Sequence, residues 1–253
     1  MADSALWLGV AALVLWLVSV KLRDVSIVDI YWAPAYSIAC AAVWLEGPAL
    51  TTARVVLVVS VAAWGLRLGG YLAWRNLGHG EDRRYQVIRA RMDPGFWWKS
   101  LVVVFGFQSF LVWCISTPVQ LALRSDAAVL WPLAFVGGGL YMVGFFFEAV
   151  GDLQLARFLA RPNSQNAVMN QGLWRYSRHP NYFGNCCLWW GLYLVSVSLG
   201  APWWTVFSPI LMTVLLLRVS GVALLERTIE SRRPGYAEYV RRTSAFVPMP
   251  PKA

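Results

Sequence analysis

The feature that most constrains this chain is the recurrence of apolar runs about as long as a bilayer is thick. They fall at roughly 5–20, 28–45, 52–74, 100–122, 128–150, 182–200 and 203–224. A helix needs about 20 mostly apolar residues to cross ~30 Å of hydrocarbon, where every backbone polar group must find its partner within the protein. Composition agrees, with 58% of residues hydrophobic and 14% charged, against about 25% charged in a soluble domain. The expected fold is all-α: a polytopic membrane bundle of about seven transmembrane helices, forming one integral membrane domain over residues 1–253. The first run lacks a basic leader and a small-residue cleavage site, so it reads as a retained span.

Positive charge sorts with these runs. Lys21 and Arg23 occupy the first connection, and Arg75, Arg83, Arg84, Arg89, Arg91 and Lys99 the third. Arg157, Arg161, Arg175 and Arg178 occupy the fifth, and six more Lys or Arg residues the tail. The even-numbered connections hold only Arg54 and Arg124. This alternation predicts an external N-terminus and a cytoplasmic C-terminus. It also accounts for the net charge of +9 without a nucleic-acid partner. Cys40, Cys114, Cys186 and Cys187 lie in apolar runs without metal-ligand spacing, so they read as small hydrophobes and no metal is expected. Most tryptophans read as interfacial belt and packing.

Ionisable groups inside spans are costly unless they pair or face a cavity, which makes each a functional candidate. Asp29 opens the second span, Arg67 lies in the third, and Glu148 and Asp152 share one face of the fifth at i,i+4 spacing. Arg218 and Glu226 bracket the end of the seventh. Structural readings stand beside these. Arg218 can snorkel to the interface, Arg67 can pair with Asp29 or Glu148, the two carboxylates can mark a solvated helix end, and His79 suits an exposed loop.

The stretch "GLWRYSRHPNYFGN", Gly172 to Asn185, concentrates polarity next to an apolar run. Pro180 suits the first turn of a helix, where its missing N–H costs nothing. Ser177 or His179 then falls at the cap, and free N–H groups beside Arg175 and Arg178 form an anion site. Asn181 offers amide donors and acceptors to a flat polar group such as a carboxamide.

This stretch, with "GDLQLARFLARPNSQNAVMNQ" before it and "YAEYVRRTSAFVPMPP" after it, resembles the steroid 5-alpha-reductase-like membrane enzymes, and more closely their bacterial DUF1295 branch. The similarity is good over roughly 140–251 and weak across the N-terminal spans. The Arg-His-Pro-x-Tyr-x-Gly core is shared with isoprenylcysteine carboxyl methyltransferases, which bind S-adenosylmethionine. Asn181 favours the reductases, in which an asparagine at this place contacts the nicotinamide end of NADPH. The resemblance implies a dinucleotide held by the cytoplasmic loops and last three spans. It assigns Glu148 and Asp152 to the asparagine and acidic positions of the fifth span, and Arg157 and Arg161 to arginines of the following loop. Tyr176, Arg178, His179 and Asn181 belong to the signature, Arg67 matches an arginine of the third span, and Glu226, Tyr239 and Arg242 fall in the segment that closes over the site.

Three positions depart from the pattern. Asn185 stands where many of these reductases carry a carboxylate, Trp64 replaces a tyrosine that helps polarise the substrate carbonyl, and the second span offers Asp29 and Tyr31 in place of a Gln-Glu pair. The resulting expectation is an NADPH-dependent reductase of an activated C=C bond (an enone) in a steroid-like or other lipophilic substrate. Tyr31, or Asp29 kept neutral by desolvation, polarises the carbonyl. Substrate arrives from membrane lipid and NADPH from the cytoplasmic side of a bacterial inner membrane. Clustered arginines suit the extra phosphate of NADPH over NADH. The alternatives are a methyltransferase acting on a lipid or prenylated group, and a non-enzymatic lipid-binding protein.

Overall fold

The computed structural model describes residues 1–45, 51–162, 164, 167–219 and 235–252, and every regular element among them is a helix. Glu226 lies outside the described residues. The chain divides into two compact units, Met1–Val129 with Leu199–Thr205, and Leu130–Ser198 with Val206–Ala253. Asp29, Tyr31, Trp64 and Arg67 belong to the first, and the candidates from Glu148 onward to the second.

In the first unit, α1 (Ala2–Leu22), α2 (Val28–Trp44) and α3 (Thr52–Asn76) follow one another. The central helix is α2: Ala33, Ala35, Tyr36, Ala39 and Val43 have no exposure. Its small residues let α3 come close. A Cβ built on Gly65 would lie 2.9 Å from the Ala33 carbonyl oxygen, and one on Gly69 2.6 Å from the Pro34 ring. A short polar helix, α4 (Arg83–Met92), precedes α5 (Phe96–Ser100). The latter passes through a π-helical stretch, Leu101–Gly106, into α6 (Phe107–Ile115). The expected run to 122 breaks there because Pro118 opens a new helix, α7 (Thr117–Arg124), at the position where its missing N–H is harmless.

Arg54 and Arg124, the only cations of the even connections, each meet an aspartate, Asp126 at 3.8 Å and Asp3 at 3.4 Å. At the other end of the unit, the Glu81 carboxylate accepts from the Val25 amide.

The second unit is built on α8 (Trp131–Leu159) and α9 (Pro180–Ser198), with α10 (Phe207–Val214) and α11 (Tyr236–Arg242) beyond them. The fifth expected span was bounded at 150, yet α8 continues to Leu159. No proline interrupts it before Pro162. Asp152 and Arg157 are therefore helical residues, while Arg161, Arg175 and Arg178 belong to the connection.

Among the described residues, five helical segments are long and apolar enough to cross a membrane: Ala2–Leu22, Val25–Trp44, Thr52–Asn76, Phe96–Ile115 and Trp131–Leu159. The chain is an integral membrane protein by that measure. The expected sixth span is α9, whose 19 residues include Asn181 and Asn185. The expected seventh is described as far as Val219, in a π-helical turn that continues α10.

Candidate functional site

The site begins with glycine. Gly137, Gly144 and Gly151 on α8 and Gly184 and Gly191 on α9 recur every seven residues. That is two turns at 3.5 residues per turn, the period of a continuous helix–helix seam. A Cβ on Gly144 would lie 2.4 Å from the Leu188 nitrogen, and one on Gly184 2.4 Å from the Glu148 nitrogen. The two backbones therefore touch.

Contact at this spacing brings short polar side chains within reach across the seam. Asn185 Nδ2 donates to Glu148 Oε1 at 3.1 Å, and Asn181 Nδ2 donates to Asp152 Oδ1 at 3.0 Å. Glu148, Asp152 and Asn185 are all buried, at 3%, 6% and 6% exposure. Each carboxylate thus faces a carboxamide one helical turn from its neighbour. The Asn185 Oδ1 atom is buried and accepts no hydrogen bond among the described residues. Such an acceptor costs about 1–3 kcal/mol while it lacks a donor, so this rack holds one open position for an N–H.

The signature segment before α9 is fixed mostly by the tail. Ser177 Oγ accepts from the His179 amide at 3.1 Å and donates to the Phe246 carbonyl at 2.7 Å. Ser177 therefore supplies the polar contact ahead of Pro180, and His179 stacks flat on Tyr182. Arg178 departs from its expected role. Its guanidinium is buried and donates to the carbonyls of Val240, at 3.0 Å, and Thr243, which are orphan acceptors at the C-terminal end of α11. It is a clamp on the tail. Its own amide bonds the Ser244 carbonyl, and the Tyr176 carbonyl accepts from Met249. Tyr239 donates to the Trp174 carbonyl at 2.5 Å, and Trp174 Nε1 donates to the Gly151 carbonyl at 3.0 Å. The chain from α11 to α8 is continuous.

Beside this strap lies a polar cavity of about 560 Å³, lined by Asn170, Gln171, Arg175, Glu238, Tyr239 and Arg242 among others. Arg175 and Arg242 bring cation donors to it, and Arg242 lies 3.7 Å from Glu238. Arg157 and Arg161 are exposed and make no ion pair among the described residues.

The candidates of the first unit do not gather at one point. Asp29 accepts from Arg84 Nη2 at 2.6 Å and from the Tyr85 hydroxyl at 2.6 Å. Burial, then the charge of Asp29, pushes the Tyr85 phenol well above its ordinary value. Burial works against the Arg84 charge, but Asp29 and Asp82 outweigh it and raise that guanidinium further. Asp29 is thus an acceptor on both oxygens, which is the behaviour of a carboxylate and does not suit the neutral donor expected of it.

Tyr31 points elsewhere: its hydroxyl lies 3.2 Å from Ser109 Oγ. Ser109 also lines an apolar groove of about 760 Å³ formed by α1, the π-helical stretch and α6, with Leu8, Val102, Phe107 and Trp113. Trp64 has no exposure and meets Tyr36 edge-on at 5.4 Å. It is core, and its expected place near a substrate carbonyl is corrected accordingly. Arg67 sits one turn beyond it, half-buried.

Ser109, Arg84, Tyr85 and the open acceptor on Asn185 were not singled out from sequence as parts of a site. Only the last carried a local signal, the seven-residue glycine period that faces Asn185 toward Glu148.

A family model described as a protein of unknown function (DUF1295) matches residues 15–243. No curated protein and no solved structure matches the chain.

Proposed function

The chain belongs to the DUF1295 family, and from that premise we propose that it is an NADPH-dependent membrane reductase of an activated C=C bond in a lipophilic substrate. The observation that carries this reading is the rack of Glu148–Asn185 and Asp152–Asn181, with the Asn185 carbonyl oxygen buried and open. A carboxamide such as that of nicotinamide has the flat N–H donor this acceptor lacks. Arg175 and Arg242 at the polar cavity suit the phosphates, and a charge-assisted contact is worth roughly twice a neutral one. Arg157 and Arg161, free on the surface, are further phosphate partners. These residues fit the dinucleotide.

When bound, NADPH supplies the hydride. The protein's own part is orientation and proton control. Tyr31, supported by Ser109, is the donor that polarises a substrate carbonyl. The apolar groove that Ser109 lines suits a lipophilic body arriving from the bilayer. In this reading seven spans place the N-terminus outside and the cofactor side in the cytoplasm of a bacterial inner membrane. The relation to steroid reductases belongs to the same proposal.

The test is the nucleotide that binds the detergent-solubilised protein. NADPH should bind in calorimetry, and Asn185→Leu, which removes the open acceptor, should weaken it at least about fivefold, the equivalent of one lost hydrogen bond of ~1 kcal/mol. Binding of S-adenosylmethionine in its place would move the assignment to the methyltransferases that share the Arg-His-Pro core. Binding of neither would leave a lipid-binding protein.

A further inference from the structure

The connection between α3 and α5 contains a second organised surface, independent of the reading above. Both flanking helices belong to segments long enough to cross a membrane, Thr52–Asn76 and Phe96–Ile115. The intervening α4 therefore lies at the level of the bilayer surface.

Its inner face is tied down. Arg84 reaches Asp29 and Asp82, and Arg89 grips Glu81 at 2.7 Å while its guanidinium sits 4.7 Å from the Phe96 ring centre. Lys99 turns back to the carbonyls of Met92 and Pro94. The acidic residues of the segment are engaged as well: Glu81 and Asp82 by those arginines, and Asp93 by the Phe96 amide.

What remains is the outer face. Arg83, Val87 and Arg91 follow at i, i+4 and i+8, all exposed. Arg83 and Arg91 make no ion pair or hydrogen bond among the described residues. At 1.5 Å per residue the two lie about 12 Å apart along the helix. Trp97 and Trp98 follow at 58% and 51% exposure, a residue type that favours the headgroup boundary.

We propose that this face, centred on Arg83 and Arg91, binds the headgroups of anionic phospholipids from the surrounding bilayer. The charge is complementary, no carboxylate among the described residues competes for it, and the tryptophans set the depth. This face runs along a ten-residue helix outside the apolar segments. It differs from an arginine that merely obeys the orientation rule because its register is fixed from below by four polar anchors: Asp29, Glu81, Tyr85 and Arg89.

The test uses the full-length protein in mild detergent, titrated with phosphatidylglycerol or phosphatidylcholine and read by native mass spectrometry. Phosphatidylglycerol should bind preferentially. At about a fivefold contribution per basic residue near a charged surface, R83Q and R91Q should each lower that preference about fivefold, and the double variant roughly thirtyfold. The R83K/R91K pair should keep most of it, which separates charge from a folding defect. Equal binding of the two lipids by the parent, or an unchanged preference in the double glutamine variant, would overturn the proposal.

Discussion

The two units solve one problem, close helix packing in a membrane, with opposite results for chemistry. In the first, α2 and α3 approach through Gly65 and Gly69 against Ala33 and Pro34, and the space around α2 is filled by apolar side chains. The buried polar pairs of this unit, Tyr31 with Ser109 and Ser4 with Gln120, are neutral, and its charged cluster lies at a helix end, where Asp29 meets Arg84 and Tyr85. In the second, five glycines in seven-residue register bring α8 and α9 into backbone contact. Glu148, Asp152, Asn181 and Asn185 then face one another inside the seam. The accessory spaces follow the same division: an apolar groove in the first unit, a polar cavity in the second. Backbone distance therefore decides where polar chemistry is tolerated. A carboxylate and a short amide satisfy each other only if the helices are close enough for both to reach.

The strongest way to break this comparison is to force the seam apart. A methyl group on Gly144 would meet Leu188 N at 2.4 Å and Gly184 O at 2.5 Å, all backbone. Backbone cannot rotate away, so Gly144→Ala should destabilise by about 3 kcal/mol, the upper range for overpacking. Gly138, on the same helix, has nothing within 4 Å of a built Cβ. Gly138→Ala should stabilise slightly, by up to about 1 kcal/mol from helix propensity. Thermal unfolding of the two purified variants in one detergent reads the difference. Similar midpoints would mean that the seam does not set the spacing.

Much of this was legible in the sequence, and the rest was hidden for physical reasons. The apolar runs gave the all-helical membrane class because length against bilayer thickness is a local property. The helix starting at Pro180, and the i,i+4 carboxylates, were local as well. The glycine period was present but went unread, since no apolar heptad accompanies it. Asp29 could not be matched with Arg84, which lies 55 residues away. The contacts of Arg178 with the Val240 and Thr243 carbonyls could not be read from sequence, because main-chain acceptors carry no residue-type signal. Asn185, which the sequence marks only as a departure from the pattern, donates across the seam to Glu148, 37 residues away.

A medium effect sharpens the role of the tail. Arg178→Ala removes donors from the Val240 and Thr243 carbonyls, and loss of hydrogen bonds from a charged group costs about 1.5–3 kcal/mol. Because those carbonyls end α11, the damage should be local. Limited proteolysis should cut within 244–252 faster than in the parent, while the α8–α9 seam keeps its amide-exchange protection. If Arg178 instead served as an anion ligand, the tail would stay resistant and only salt-dependent nucleotide affinity would fall.

The smallest effect tests the polar end of the first unit. Asp82 caps α4 by accepting from the Arg84 amide at 2.9 Å and also binds the Arg84 side chain. Burial works to raise its pKa, but the Arg84 hydrogen bonds and charge, with Arg75 beyond them, outweigh it and hold the carboxyl below its ordinary value. The sign follows. As pH falls, the unfolded chain takes up this proton first, so the contribution of Asp82 is present above the ordinary carboxylate pKa of about 3.9 and is lost as pH drops through the folded value. With its side chain 34% exposed, solvent and salt keep the effect small. Asp82→Asn preserves the cap, because asparagine is as good an N-cap as aspartate, and removes only the charge. The variant should unfold at a slightly lower temperature than the parent at pH 7. Its midpoint should then fall less steeply between about pH 5 and pH 3, where unfolded aspartates titrate. Parallel pH profiles would show that Asp82 holds α4 through its cap alone, leaving Asp29 and Glu81 as the charges that fix this end of the unit.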